Sequence, residues 1–284
     1  MITARGPLLT IEVRDALRAA RHRGLVQVEC SLDLGKSTTI VDLDGDGFRW
    51  RGEHFPEPAR CRPHTIYYFD GAEFRPAARF SGSLVKLVPT QWGPPTFEID
   101  GIKMLPTAHV SPYADAAYKV ALVEPQGKRV LDTCGGLGYF AGCCVSGGAQ
   151  HVQSYEKNAD VLWLRTLNPW SPEVAPGEDA DAALTLVHGD SVEQIARLPD
   201  GAFDAVLHDP PRFGTAGELY SGAFYEQLAR VLRPQGRLFH YTGAPNKLTS
   251  GRDVAREVLT RLRAAGFNGE LSGDGILATR RARQ

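Results

Sequence analysis

Val130-Leu131-Asp132-Thr133-Cys134-Gly135-Gly136-Leu137-Gly138-Tyr139 runs from an apolar strand into a glycine-rich turn and opens a helix. Glycines let the backbone reverse sharply and approach a ligand closely. Alone, such a turn is a weak signal, since a plain βα connection or another nucleotide fold reads the same way. Three motifs downstream give it weight. Glu156 ends the next strand, 24 residues after Asp132, where a carboxylate can accept from both hydroxyls of a ribose. Gly189-Asp190-Ser191 ends a third strand. Asp190 can accept from an adenine amino group, and the Ser191 N–H can donate to a ring nitrogen. His208-Asp209-Pro210-Pro211 ends a fourth. All four motifs stand at the carboxyl ends of consecutive strands, where open α/β sheets bind ligands.

Outward from this core, everything after Pro112 alternates strand and helix. Strands are expected near 129–133, 151–155, 184–188, 203–208, 237–241 and 276–279. Helices are expected near 139–146, 159–167, 192–197, 222–232 and 253–265, with a surface loop over 171–181. This spacing implies βαβ units and a parallel sheet. Before it, from about Val26 to Ile102, short alternating strands and turns follow one amphipathic helix near 12–23. The expected fold class is therefore α/β. A Rossmann-like domain over 106–284 carries a smaller β-rich N-terminal domain over 1–105 that selects the substrate.

The order Asp-x-x-x-Gly-x-Gly, Glu, Gly-Asp, Asp-Pro-Pro resembles the class I S-adenosylmethionine-dependent methyltransferases. The resemblance implies S-adenosylmethionine as cofactor, held by Asp132, Cys134, Gly136, Gly138, Glu156, Asp190 and Ser191. Cys134 stands where that family usually has its first glycine, and a small residue is physically acceptable there. Asp209-Pro210-Pro211-Arg212-Phe213 carries the chemistry. Two prolines stiffen the loop. The Asp209 carboxylate and the Pro210 carbonyl then offer two acceptors, which is what a planar amino group needs if its lone pair is to face a methyl. The stretch resembles the Asp/Asn-Pro-Pro-aromatic motif of amino-methyltransferases, with Arg212 interposed. A similar Asp-Pro-Pro-x-Phe occurs in ribosomal RNA base methyltransferases, including some that act on ring carbon or nitrogen. Arg212, Phe213 and Tyr241 are the expected base-stacking, substrate-binding residues.

Asn168-Pro169-Trp170-Ser171, Ala216-Gly217-Glu218-Leu219-Tyr220-Ser221, Phe239-His240-Tyr241-Thr242-Gly243, Lys86-Leu87-Val88-Pro89-Thr90 and Glu98-Ile99-Asp100-Gly101-Ile102 further resemble a mainly archaeal family of predicted methyltransferases. That likeness covers about residues 26–270 and associates the chain with cytidine N4-methylation of ribosomal RNA. RNA is therefore the expected partner.

Composition narrows the field. No stretch approaches the ~20 apolar residues that cross a bilayer, and the first ten residues lack a leader pattern, so no membrane partner and a cytoplasmic location are expected. Five cysteines, none in a C-x-x-C pair, argue against disulfides and structural zinc. No cysteine is cast as a nucleophile and no metal site is expected. A net charge of −1 disfavours unspecific nucleic-acid binding. The local candidates for phosphate contact are Arg14, Arg18 and Arg21 on one helix stripe, with Arg79, Lys86, Arg212, Arg280, Arg281 and Arg283. The helical stripe reads first as a solvated face. Asp115 and Lys119 suit either an i,i+4 surface pair or the edge of the cofactor site. Trp170 reads as packing. Asp42-x-Asp44-x-Asp46-Gly47 with Glu53 matches a calcium-loop pattern, yet its flanks read as strands rather than helices. Gly35-Lys36-Ser37-Thr38 lacks the first glycine of a phosphate loop. An aminopropyltransferase of polyamine synthesis, a small-molecule amine methyltransferase and a non-catalytic binding module are the alternatives. The first usually opens its glycine turn with Gly-Gly-Gly-Asp-Gly, which this chain lacks.

Overall fold

The computed structural model describes residues 6–58, 60–174, 182–212, 214, 216–243 and 253–282. Of the features expected from the sequence, Phe213, Arg283 and the loop beyond residue 174 lie outside the described residues. The chain forms two compact units, Met1–Asp115 with Asp160–Ser171, and Ala116–Ala159 with Pro172–Gln284.

The first unit is built of short antiparallel strands. These are β1 (Leu8–Leu9), β2 (Gln27–Cys30), β3 (Thr39–Asp44), β4 (Gly47–Trp50), β5 (Glu53–Pro56), β6 (Tyr67–Phe69), β7 (Phe74–Pro76), β8 (Ala78–Phe80), β9 (Leu84–Val88), β10 (Thr96–Ile99) and β11 (Ile102–Lys103). They pair as three sheets, β1-β6-β7, β2-β3-β4-β5 and β11-β10-β9-β8. Period-two alternation turns one face of each strand inward. Phe48, Phe55, Phe74 and Tyr67 thus share a core with Leu9 and with Leu17 of helix α1 (Ile11–His22). The calcium-like segment is a hairpin: β3 and β4 pair antiparallel, and Arg49 bridges to Asp44 at 2.7 Å. The α1 arginines are engaged locally, Arg14 with Asp15 and both Arg18 and Arg21 with Glu57. Lys36 donates to the Pro169 carbonyl at 2.7 Å. Trp170 donates to the Leu34 carbonyl at 3.1 Å and packs near Tyr113.

The second unit carries the decisive sheet. Its elements are β12 (Arg129–Asp132), α3 (Tyr139–Ser146), β13 (His151–Glu156), β14 (Leu184–His188), α5 (Ser191–Gln194), β15 (Phe203–His208), α6 (Gly222–Val231), β16 (Leu232–Tyr241), α7 (Val254–Ala264), β17 (Phe267–Ser272) and β18 (Gly275–Arg280). Helix α2 (Pro112–Val123) leads into them, and α4 (Ala159–Leu167) leaves β13. The strand order is β14-β13-β12-β15-β16-β18-β17. Strands β12 to β16 are parallel and β18 is antiparallel to both neighbours. Val130, Leu131, Ala205, Val206 and Leu207 are almost wholly buried, as a parallel strand covered on both faces requires. The order reverses between β12 and β15, which places the ligand crevice of such a fold at their carboxyl ends.

Two expectations need correction. The helix expected over 192–197 is a single turn, α5, followed by a 3-10 turn over Ile195–Arg197. Strand β17 was not expected, because the sequence reading left the stretch between 265 and 276 unassigned. The turn lies at Gly273, with φ +58°, and a Cβ at Gly269 would come within 3.0 Å of the Ala278 Cβ. Gly269 thus admits close strand approach rather than a reversal.

Candidate active site

The β12–α3 turn owes its shape to two glycines. Gly136 and Gly138 have φ of +49° and +82°, and Gly138 caps α3 in the left-handed conformation. Cys134 is not among the residues of positive φ, so nothing in the backbone demands a glycine there. Burial drives the Cys134 thiol well above its ordinary range, which leaves it protonated and a poor nucleophile.

The turn is clamped from β13. Glu156 accepts from the Gly136 N–H and the Asn158 N–H, each at 2.8 Å. Gly135 donates to the Tyr155 carbonyl at 2.7 Å. Asp132 is fully buried and accepts from Ser154 Oγ at 2.8 Å, so it shapes the turn from beneath. Asp190 caps α5, accepting from Val192 N at 2.8 Å, and its other oxygen lies 3.4 Å from Lys157 Nζ. Lys157 also reaches Glu218 at 3.9 Å. Ser191 begins α5 and is buried. Glu156, Asp190 and Ser191 thus stand at the ends of β13 and β14. A carboxylate for a ribose and a helix N-terminus beside it fit S-adenosylmethionine.

The acceptor loop leaves β15 at the switch point. Thr133 donates its backbone N–H to the Leu207 carbonyl at 3.1 Å, tying the ends of β12 and β15 together. Asp209 is half-buried, Pro210 buried, Pro211 partly exposed and Arg212 exposed. Around them lies a network that sequence reading missed. His208 and His240 are fully buried, with ring centroids 4.4 Å apart. A carbonyl only accepts, so the contact of 3.0 Å between His208 Nε2 and the Leu219 oxygen puts the proton on Nε2. Its Nδ1 then accepts from Thr133 Oγ at 2.7 Å. By the same logic His240 carries its proton on Nδ1, toward the Tyr241 carbonyl at 2.7 Å, and its Nε2 accepts from the Tyr225 hydroxyl at 2.9 Å. Burial lowers His208 to about 4. Burial, then the neighbouring His208, hold His240 well below its usual range. Both rings are neutral near pH 7, and both nitrogens of each are engaged in hydrogen bonds inside the core.

The 3-10 turn Gly217–Tyr220 crosses this network. Tyr220 donates its hydroxyl to the Pro211 carbonyl at 3.0 Å. Tyr241 sits where the sequence places it, at the end of β16. One face of its ring lies 4.1 Å from Lys119 Nζ. Lys119 is buried, and it ion-pairs with Asp274 at 3.5 Å rather than standing on the surface. The only hint of these partners in the sequence is His208 and His240 closing two apolar strands, where burial forces each ring to find hydrogen bonds.

Among the described residues no group of His, Cys, Asp and Glu could hold a metal ion, and no helix is long and apolar enough to cross a membrane.

Residues 153–268 match a family described as S-adenosyl-L-methionine-dependent methyltransferase. S-adenosylmethionine is thus the cofactor of this chain. Uncharacterized protein MJ1233 of Methanocaldococcus jannaschii is 45% identical over 210 residues, 74% of this chain and 70% of that protein. Polyamine aminopropyltransferase 2 of Streptomyces coelicolor is 28% identical over 81% of this chain, which spans only 39% of that enzyme. In structure, spermidine synthase from Thermotoga maritima superimposes with a TM-score of 0.52 at 16% identity, over 72% of this chain and 71% of that one. That last likeness is one of fold alone. With nearly half of the aligned residues identical over most of both proteins, the chain belongs to the family of MJ1233, on the fold of the S-adenosylmethionine-dependent methyltransferases.

Proposed function

We propose that the protein transfers a methyl group from S-adenosylmethionine to an amine nitrogen, and that the amine is the exocyclic group of a nucleobase in RNA, cytidine N4 of ribosomal RNA in particular. The observation that carries this reading is the position of Asp209-Pro210-Pro211 at the carboxyl end of β15, at the switch point of the sheet. Bound S-adenosylmethionine supplies a methyl already activated by positive sulfur, so orientation is the main task left to the protein. In this reading Asp209 and the Pro210 carbonyl each accept one N–H of the amine, and Pro211 stiffens the loop. Asp132, Cys134, Gly136, Gly138, Glu156, Asp190 and Ser191 form the cofactor side, and Arg212 and Tyr241 flank the base. The N-terminal unit selects the substrate. Its basic residues contribute little to phosphate binding in this reading, because Arg14, Arg18, Arg21 and Lys86 are already paired with carboxylates. Arg79 stacks on Trp163 at 3.9 Å.

A second reading, aminopropyl transfer from decarboxylated S-adenosylmethionine to a polyamine, is favoured by the likeness to polyamine aminopropyltransferases. The cationic acceptor would meet Asp209 and Glu218 at the same loop. Donor preference separates the two. Calorimetric titration with both compounds should show tighter binding of the carboxylated form. A preference of tenfold or more for the decarboxylated form would replace the first reading with the second.

A further inference from the structure

We propose that His208 and Tyr220 are positioning residues that hold the Asp209-Pro210-Pro211 loop in its transfer geometry, acting together as a strut beneath it. This deepens the methyl-transfer reading and rests on it. The strut begins on β12, where Thr133 Oγ donates to His208 Nδ1 at 2.7 Å. It crosses the His208 ring and continues from Nε2 to the Leu219 carbonyl at 3.0 Å. It ends one residue later, where the Tyr220 hydroxyl returns to the loop and donates to the Pro211 carbonyl at 3.0 Å. The 3-10 turn between these contacts is pinned again by Arg261, which donates to the Tyr220 carbonyl at 3.1 Å.

Prolines at 210 and 211 remove the two amide N–H groups by which a loop ordinarily anchors itself. Fixing φ restricts such a loop without fastening it. Carbonyls are then the only backbone groups of those two residues that can be held, and Tyr220 holds one of them. His208, Leu219 and Tyr220 are almost wholly buried, so the anchor works where water does not compete. Tyr220 also takes up one of the two lone pairs of the Pro211 carbonyl, which makes it a poorer acceptor for an amine. The loop then presents Asp209 and the Pro210 carbonyl, two acceptors for the two hydrogens of a planar amino group.

Tyr220→Phe removes one oxygen and preserves the ring packing. His208→Phe removes both ring contacts, whereas His208→Gln keeps a donor near the Nε2 position. Two readouts are needed. The first is hydrogen exchange at the amides of Ala216, Leu219 and Ser221, which donate within this segment to the carbonyls of Arg212, Ala216 and Glu218. The second is methyl transfer from labelled S-adenosylmethionine into RNA from a strain lacking the protein. Tyr220→Phe should speed those amides about tenfold or more. It should lower kcat by tens of fold while the KM for S-adenosylmethionine stays within about threefold, as expected for lost orientation rather than lost cofactor binding. His208→Gln should recover most of the activity that His208→Phe loses. Unchanged amide exchange in Tyr220→Phe, or a loosened loop with unchanged kcat, overturns the proposal. Loosened amides in Tyr220→Phe, with no methyl transferred even by the unaltered protein, would support the strut and sink the methyl-transfer reading.

Discussion

Asp209 is the residue whose replacement separates chemistry from binding. It stands on the acceptor loop after β15, whereas the glycine turn follows β12 and Glu156 ends β13. Asp209→Ala should reduce methyl transfer by about 10³-fold or more, since orientation of the nucleophile is the main source of rate. S-adenosylhomocysteine affinity should change by less than about threefold, which calorimetry can check. Cys134 offers the opposite case. Its thiol is held protonated by burial, and its backbone does not need the glycine common at this place. Cys134→Ala should therefore keep kcat at saturating S-adenosylmethionine within about threefold of the unaltered value in the same label assay. A loss of a hundredfold would assign that thiol a chemical role.

At the scale of elements, the β12–α3 turn depends on the carboxylate of Glu156 at the end of β13. Glu156→Ala removes hydrogen bonds to Gly136 and Asn158, together with the acceptor proposed for the ribose. Bonds to a charged group are worth about 1.5–3 kcal/mol each. Loss of the proposed ribose acceptor should lower cofactor affinity ten- to a hundredfold by titration calorimetry, and loss of the two internal bonds should lower the melting temperature by several degrees, on the order of a few degrees per kcal/mol. The parallel strands and the helices between them were legible because the strands are short apolar runs, and β12 to β15 close on or just before a glycine or an acid: Asp132, Glu156, Gly189 and Asp209. The β12–α3 turn was legible through Gly136 and Gly138. The features that escaped reading depend on contacts remote in sequence. Strand β17 has no clear apolar alternation and is fixed by pairing with β18. Lys119 reads either as half of a surface ion pair or as an edge of the cofactor site, and its partners, Asp274 and the Tyr241 ring, are remote in sequence. His208, Leu219 and Tyr220 read as an apolar strand end and a short turn. Their link depends on side-chain placement that spacing does not specify.

For the whole molecule, the buried histidine pair sets a limit on acid stability. His208 is lowered to about 4 and His240 falls well below its usual range. Above about pH 6.5 both are neutral in the folded and unfolded chains, and they leave stability independent of pH. As the pH falls below that, the unfolded chain takes up protons that the fold refuses. Each histidine then costs about 1.4 kcal/mol per pH unit, down to its own folded value. Urea unfolding between pH 7 and pH 4.5 should show this loss, and His208→Gln should remove about half of it. An unaltered slope in that variant would place the acid sensitivity elsewhere. The family's cofactor and an acceptor loop at the switch point support the central proposal, methyl transfer to an amine. The most direct measurement supplies methyl-labelled S-adenosylmethionine to the protein and to Asp209→Ala, with RNA and small-molecule extracts from a strain lacking the protein. The expected result is label on an exocyclic nitrogen of an RNA nucleoside, with the variant silent. Label on no acceptor, together with transfer of the aminopropyl chain from the decarboxylated donor, would contradict it.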